Sequence, residues 1–159
     1  MRVEYINPFV ESAFNILKEV MNAEVNRGEI YLKPTSMKIM GVAGLVGLAG
    51  DVEGRVLFDM TRETALAVAG AMNNEKFTEL DELAKATIQE LANMITAQAV
   101  TKLHDLGFKF DLTPPALFTG DNMEISNNLE VEALIVPMEI GPGGKNGKVE
   151  INVVIRERP

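Results

Sequence analysis

The sequence contains no cysteine, no tryptophan and a single histidine. Without cysteine there is no disulfide, no zinc thiolate site and no thiol nucleophile, and nothing points to an oxidising compartment. The one histidine, His104, has no triad partners at recognisable spacing. It falls in the last turn of a helical pattern, where positive charge complements the helix dipole. Basic residues are also scarce: 15 Lys and Arg against 23 Asp and Glu leave a formal net charge of -8. No basic stripe exists to hold nucleic acid or an anionic membrane, so neither is expected as a partner. No run of about 18 apolar residues occurs, and Met1 to Ile6 carries no signal-length apolar segment, so the chain reads as cytoplasmic.

What the sequence does have is apolar content, 47% of 159 residues, enough for a single domain over residues 1–159 with a sizeable core. Its longest periodic pattern runs from about 79 to 106. Leu80, Ala84, Ile88, Leu91, Ile95, Ala99, Leu103 and Leu106 recur at steps of three and four, which predicts a helix of roughly 40 Å with one core-facing stripe. Thr78 followed by Asp81 reads as its N-terminal cap, Lys102 and His104 suit its last turn, and Gly107 supplies a left-handed stop. The acidic Glu79, Asp81 and Glu82 belong to this helix start, where the dipole stabilises carboxylates, rather than to a metal site.

Elsewhere, Asn7 and Pro8 read as the cap and first residue of an opening helix that repeats through Phe9, Ala13, Ile16 or Leu17 and Val20, stopping at Asn26-Arg27-Gly28. Glu29 to Met40 alternates as an extended stretch in which Pro34 marks an edge strand. Val42 to Ala49 carries glycines at 41, 44, 47 and 50, yet matches neither the dinucleotide fingerprint nor the P-loop. The glycines are expected to permit close backbone packing. A turn over Gly50 to Gly54 leads into a strand from Arg55 to Phe58, and Thr61 caps a short helix, Arg62 to Met72. Phe108 to Leu112 alternates into the rigid stop Thr113-Pro114-Pro115. Leu129, Val131, Ala133 and Ile135 share a face of one later strand, and Val149, Ile151, Val153 and Ile155 a face of the last, with Gly141 to Gly147 closing the hairpin between them. The fold expected is α+β in two layers, a mostly antiparallel sheet with helices packed on one face and one long central helix.

Chemistry concentrates on Glu90 and Asn93. They stand three apart, one turn above each other, off the apolar stripe of the long helix, with Ala86 and Ala97 on the same face. The small alanines leave a nearly flat surface on which a second protein can sit. An amide cannot be a general base, but it can hold a water by donating and accepting together, and a neighbouring carboxylate can pair with a partner's cation.

Glu90, Asn93 and Pro115, the proline twenty-two after the asparagine, reproduce the spacing of the CheC/CheX/FliY phosphatases of bacterial chemotaxis. The added proline makes a chance match about twentyfold rarer. The Asn7-Pro8-Phe9 opening, the glycine-bearing strands from Val42 through Gly54 to Phe58 and the order of elements extend the resemblance over nearly the whole chain. In that family CheC-like members carry the Glu/Asn motif in two helices and CheX-like members in one. Here Asn15 is preceded three earlier by Ser12 and four earlier by Glu11, so only the second copy is complete and the sequence resembles CheX most. Ala86 departs from the acidic or hydroxyl residue that many members place four before the glutamate.

The resemblance implies a phosphatase acting on the phosphoaspartate of a CheY-like response regulator. Asn93 would orient the attacking water and Glu90 would pair with the receiver's active-site lysine. The receiver would supply Mg2+, and the chain would need no cofactor or metal of its own. It further implies a homodimer. The alternative is a non-catalytic dimeric module of the same fold that binds a receiver.

Overall fold

The computed structural model describes residues 3–34, 36–126 and 131–158. Helix α1 spans Val3–Met21 and buries Phe9, Ala13, Ile16 and Leu17, as the periodicity predicts. It starts upstream of the expected Asn7 cap and encloses Pro8. The cause is the core itself: Tyr5 and Ile6 are buried, and the Tyr5 ring meets Phe108 and Phe110 edge-on at 5.0 and 5.3 Å. Two such side chains, at about 1.5–3 kcal/mol each, outweigh the one hydrogen bond that Pro8 cannot donate near the helix start.

The helix ends at Asn22, whose φ is 46°, and the expected stop at 26–28 is instead strand β1, Val25–Arg27. The extended stretch over 29–40 divides around Pro34 into β2 (Tyr31–Lys33) and β3 (Ser36–Lys38). Next come the hairpin of β4 (Val42–Gly50) and β5 (Val52–Met60), in register from Val42 opposite Met60 to Leu48 opposite Gly54. The strand read from Arg55 is thus longer, and only Asp51 separates the two. Helix α2, Arg62–Asn73, is capped by the Thr61 hydroxyl, which accepts from the Thr64 amide. Helix α3 is Glu82–Asp105.

The cap of α3 is Asp81, accepting from the Ala84 amide at 2.8 Å, and not Thr78. Phe77 is buried and Leu80 packs against the core ahead of the helix, so the chain must still bend where the earlier cap would have started a turn. At the other end Gly107, at φ 91°, donates to His104 O while Phe108 donates to Leu103 O, a Schellman closure. Ile88, Leu91, Ile95, Ala99 and Leu103 are fully buried, whereas Leu106, expected to end the stripe, is 61% exposed beyond the last turn.

The remaining strands are β6 (Phe110–Leu112), β7 (Ala116–Thr119), β8 (Glu124–Ser126), β9 (Ala133–Ile140) and β10 (Lys148–Glu157). Leu129 lies outside the described residues, and Val131 precedes β9. The main sheet is antiparallel in the order β1-β9-β10-β5-β4-β6, with β2 also on β9 and β7 also on β4. The three helices cover one face, where Val149, Ile151, Val153 and Ile155 join Val56, Phe58 and Met60 in the core. The small sheet β3-β8 covers part of the other face, bringing Met37, Ile39 and Ile125 onto Ala43, Leu57 and Val154.

That second face also buries charge. Asp59 on β5 stands opposite Glu150 on β10, and both are almost fully inaccessible. Glu150 accepts from the Tyr31 hydroxyl and has Lys33 and Lys148 at 3.7 and 3.6 Å. Asp59 Oδ1 accepts from the Met40 amide at 2.9 Å, and among the described residues its Oδ2 has no hydrogen-bond partner. Burial pushes its carboxyl from the ordinary 3.8 up to about 6, the Met40 hydrogen bond opposing and the Glu150 charge adding to the rise.

The folded state therefore holds this proton more tightly than the unfolded chain, and its stabilising contribution is full below pH 3.8 and lost as pH rises through about 6. The loss amounts to about 2–3 kcal/mol. Asp59→Asn keeps the Oδ1 acceptor and removes the charge. Calorimetry should find its melting temperature about 4–12 °C above wild type at pH 8 and close to wild type at pH 4. An equal offset at both pH values would rule out titration of Asp59 as the cause.

Candidate functional site

Helix α3 owes its continuity to composition: no glycine or proline interrupts residues 82–105, and Ala, Leu, Glu, Gln and Lys fill most of it. Its placement is set from two sides. From α2, Asn73 Nδ2 donates to Ala69 O at 2.9 Å and to Thr87 Oγ1 at 2.8 Å, joining the two helices. From the sheet, β4 offers Gly44, where a Cβ would come within 3.3 Å of the Ala92 Cβ. The paired small residues let the helix lie close on the strand, so the expected role of the β4 glycines in close packing is met here.

With the stripe buried, Ala86, Glu90, Asn93 and Ala97 face solvent. Glu90 and Asn93 occupy successive turns along one groove, whose far wall is Leu112, Thr113, Pro114 and Pro115 and whose near wall adds Ala86 and Gln89. Pro115, twenty-two residues beyond Asn93, is thus brought to the same groove as Glu90 and Asn93.

The far wall has an irregularity that sequence reading took for a simple stop. Leu112 pairs with Leu48 and Ala116 with Leu45, so Thr113, Pro114 and Pro115 stand against only Val46 and Gly47. This is a bulge of one extra residue in an edge strand, where prolines leave no ladder donor unpaired. Thr113 anchors it: its amide donates to Gly47 O at 3.0 Å, and its Oγ1 accepts from the Gly47 amide at 2.8 Å. A side chain at Gly47 would collide with that hydroxyl, since a Cβ there lies 2.9 Å from Thr113 Oγ1. Gln89 closes the groove's floor by donating from Nε2 to Pro115 O at 3.4 Å. Gln89 and Thr113 were missed in the sequence because each acts through a partner distant along the chain; the glycine spacing in β4 was the available signal.

The other residues considered lie elsewhere. His104 is in the last turn of α3, as expected, with Nε2 at 3.1 Å from Phe110 O. Asp81 serves as the cap, and Glu82 has Lys85 at 3.5 Å. On α1, Glu11 pairs with Lys102 at 3.3 Å, Ser12 is buried and Asn15 is exposed. Among the described residues no three of His, Asp and Glu are grouped to hold a metal ion. No helix among them is long and apolar enough to cross a membrane.

The close approach of α3 to β4 can be tested directly. Gly44→Val inserts bulk where Ala92 leaves no room, and denaturant unfolding should register a loss of about 1–3 kcal/mol. Adding Ala92→Gly should restore part of it, less the cost of glycine within a helix; no recovery in the double variant would argue against this contact as the constraint.

Comparison with known proteins agrees with this geometry. Residues 42–139 match the family model described as chemotaxis phosphatase CheX. The CheY-P phosphatase CheX of Thermotoga maritima is 30% identical over 132 residues, 80% of this chain and 83% of that protein. One chain of the CheX-CheY-BeF3-Mg2+ complex from Borrelia burgdorferi is 41% identical, with a TM-score of 0.84 over 98% of this chain and 100% of that one. A CheC-like superfamily protein from Shewanella sp. PV-4 is 30% identical, with a TM-score of 0.85 over 98% and 99%. With the family model spanning more than half of its length and relatives at this level covering most of it, the chain belongs to the chemotaxis phosphatase CheX family.

Proposed function

We propose that this chain accelerates hydrolysis of the phosphoaspartate of a CheY-like response regulator, with Asn93 orienting the attacking water and Glu90 pairing with the receiver's active-site lysine. The observation that carries the reading is the exposure of Glu90 and Asn93 on successive turns of α3, along a groove walled by the proline bulge. The relatives supply the substrate class: the Thermotoga protein is a CheY-P phosphatase, and the Borrelia CheX is in complex with CheY, BeF3 and Mg2+.

The chemistry is one of positioning. Asn93 enters the receiver's site as an amide that donates to and accepts from one water, fixing it in line with the phosphorus. Glu90, on the neighbouring turn, forms a charge-assisted hydrogen bond with the lysine and so fixes the depth and rotation of the inserted helix. A Mg2+ ion held by the receiver would neutralise the phosphoryl oxygens there. The water's oxygen bonds to phosphorus as the bond to the aspartyl oxygen breaks, releasing the carboxylate and inorganic phosphate.

Asn93→Ala should lower receiver dephosphorylation about 10²-fold or more, near ~3 kcal/mol, with an unchanged circular dichroism melt, because an exposed helix position tolerates alanine. In the same assay Glu90→Lys should weaken receiver binding beyond Glu90→Ala, since it sets like charges together. Turnover by Asn93→Ala at the wild-type rate would refute the catalytic reading and leave the non-catalytic receiver-binding module.

A homodimer is proposed alongside. Among the described residues strand β2 pairs with β9 alone, and Ile30, Tyr31 and Leu32, just ahead of Lys33-Pro34, are 40, 37 and 57% exposed. A second copy meeting this edge would cover three large apolar side chains and satisfy free backbone groups. Sedimentation equilibrium at micromolar concentration should give twice the 17.4 kDa chain mass, and Leu32→Lys should return it to the single-chain value. A monomeric wild type would dispose of the proposal.

A further inference from the structure

We infer that Gln89 is a positioning residue that sets the shape of the receiver groove before any partner arrives, an inference that rests on the function proposed above. The groove's two walls have different origins. The near wall is α3, held by its buried stripe. The far wall is a bulge at the sheet edge, where Pro114 and Pro115 cannot donate to any neighbour, and one extra residue must be accommodated between two stretches of regular pairing. At its start Thr113 is fixed to Gly47 through both its amide and its hydroxyl. At its end regular pairing resumes with Ala116 opposite Leu45.

Between these points the described bulge has one further hydrogen bond to the body of the protein, from Gln89 Nε2 to Pro115 O. Gln89 immediately precedes Glu90 on α3, so this bond joins the far wall to the same turn that carries the pair expected to enter the receiver. The width of the groove at Glu90 and Asn93 is thus tied to the reach of one side-chain amide, whose nitrogen lies 3.4 Å from the Pro115 oxygen. A bulge untied from α3 would sample wider and narrower grooves, and a receiver would select only the fitting fraction, weakening apparent affinity in proportion. Once docked, the chemistry would proceed at its usual rate, because the Gln89 amide is engaged with Pro115 O. The expected signature is therefore in KM and not in kcat.

Gln89→Met preserves length and helix propensity and removes the donor, whereas Gln89→Lys restores one within reach of the same carbonyl. Steady-state dephosphorylation should show KM for the phosphorylated receiver raised about fivefold in Gln89→Met with kcat within twofold of wild type, and a return toward wild-type KM in Gln89→Lys. The isolated protein gives an independent reading: hydrogen exchange over residues 113–119 should quicken severalfold in Gln89→Met while β5 and β10 remain unchanged. Exchange and KM both at wild-type values would overturn the inference, as would a loss confined to kcat. If the wild-type protein itself fails to dephosphorylate receivers, the proposed function falls, and the exchange measurement alone then decides whether Gln89 holds the bulge.

Discussion

Everything at the site depends on how closely α3 lies against β4. The helix is held by a stripe of fully buried side chains and seated where Gly44 meets Ala92, a contact where an added Cβ would come within 3.3 Å. Because the interior is close-packed, the helix cannot roll or slide without opening a void beneath Ile88 or Leu91. The direction in which Glu90 and Asn93 point is therefore a property of the core. Surface residues with no packing of their own acquire a defined bearing from the residues on the opposite side of the same helix.

The sheet serves the two faces differently. On the helix side it is an ordinary apolar floor of alternating valine, isoleucine and methionine. On the other it buries Arg55, Asp59, Glu150 and Asn152, with Arg55 Nη1 donating to Asn152 Oδ1 at 2.9 Å and Asn152 reaching Met37. Burial lowers the pKa of Arg55 and raises that of Asp59, so both charges are maintained at a cost to stability. The polar layer lies on the face away from the groove, and the proposed catalysis makes no use of it.

Much of this was legible in the residues. The three- and four-step recurrence in α3 located the buried stripe and, by subtraction, the exposed pair, because a long helix without glycine or proline leaves little for tertiary contacts to alter. Thr61 as a cap and Gly107 as a left-handed stop were readable for the same local reason. The failures have a common form. Asn7-Pro8 and Thr78 are sound local start signals, but each was overruled by apolar side chains nearby, Tyr5 and Ile6 in one case and Phe77 and Leu80 in the other, whose burial fixes the backbone more strongly than a cap does. Thr113-Pro114-Pro115 read as a terminator because proline ends regular structure locally. That the strand resumes at Ala116 is decided by β4, over sixty residues away.

That resumption has a consequence for the edge as a whole. In an uninterrupted strand, side chains five residues apart point to opposite faces. Leu112 and Leu117 are five apart, yet they lie opposite Leu48 and Gly44 on β4, and both pack into the core beneath the helices. The extra residue shifts the parity of everything that follows, so that one edge can turn apolar side chains inward both before and after the prolines. Removing Pro114 would flatten the wall and leave β7 in register, with Leu117 then four positions from Leu112 on the same face. Drawing the strand straight with the residue kept would instead invert β7, sending Leu117 outward and Phe118 into the space Leu117 fills. The groove's wall is thus where this edge sets aside the one residue that would otherwise put Leu112 and Leu117 out of phase with the core.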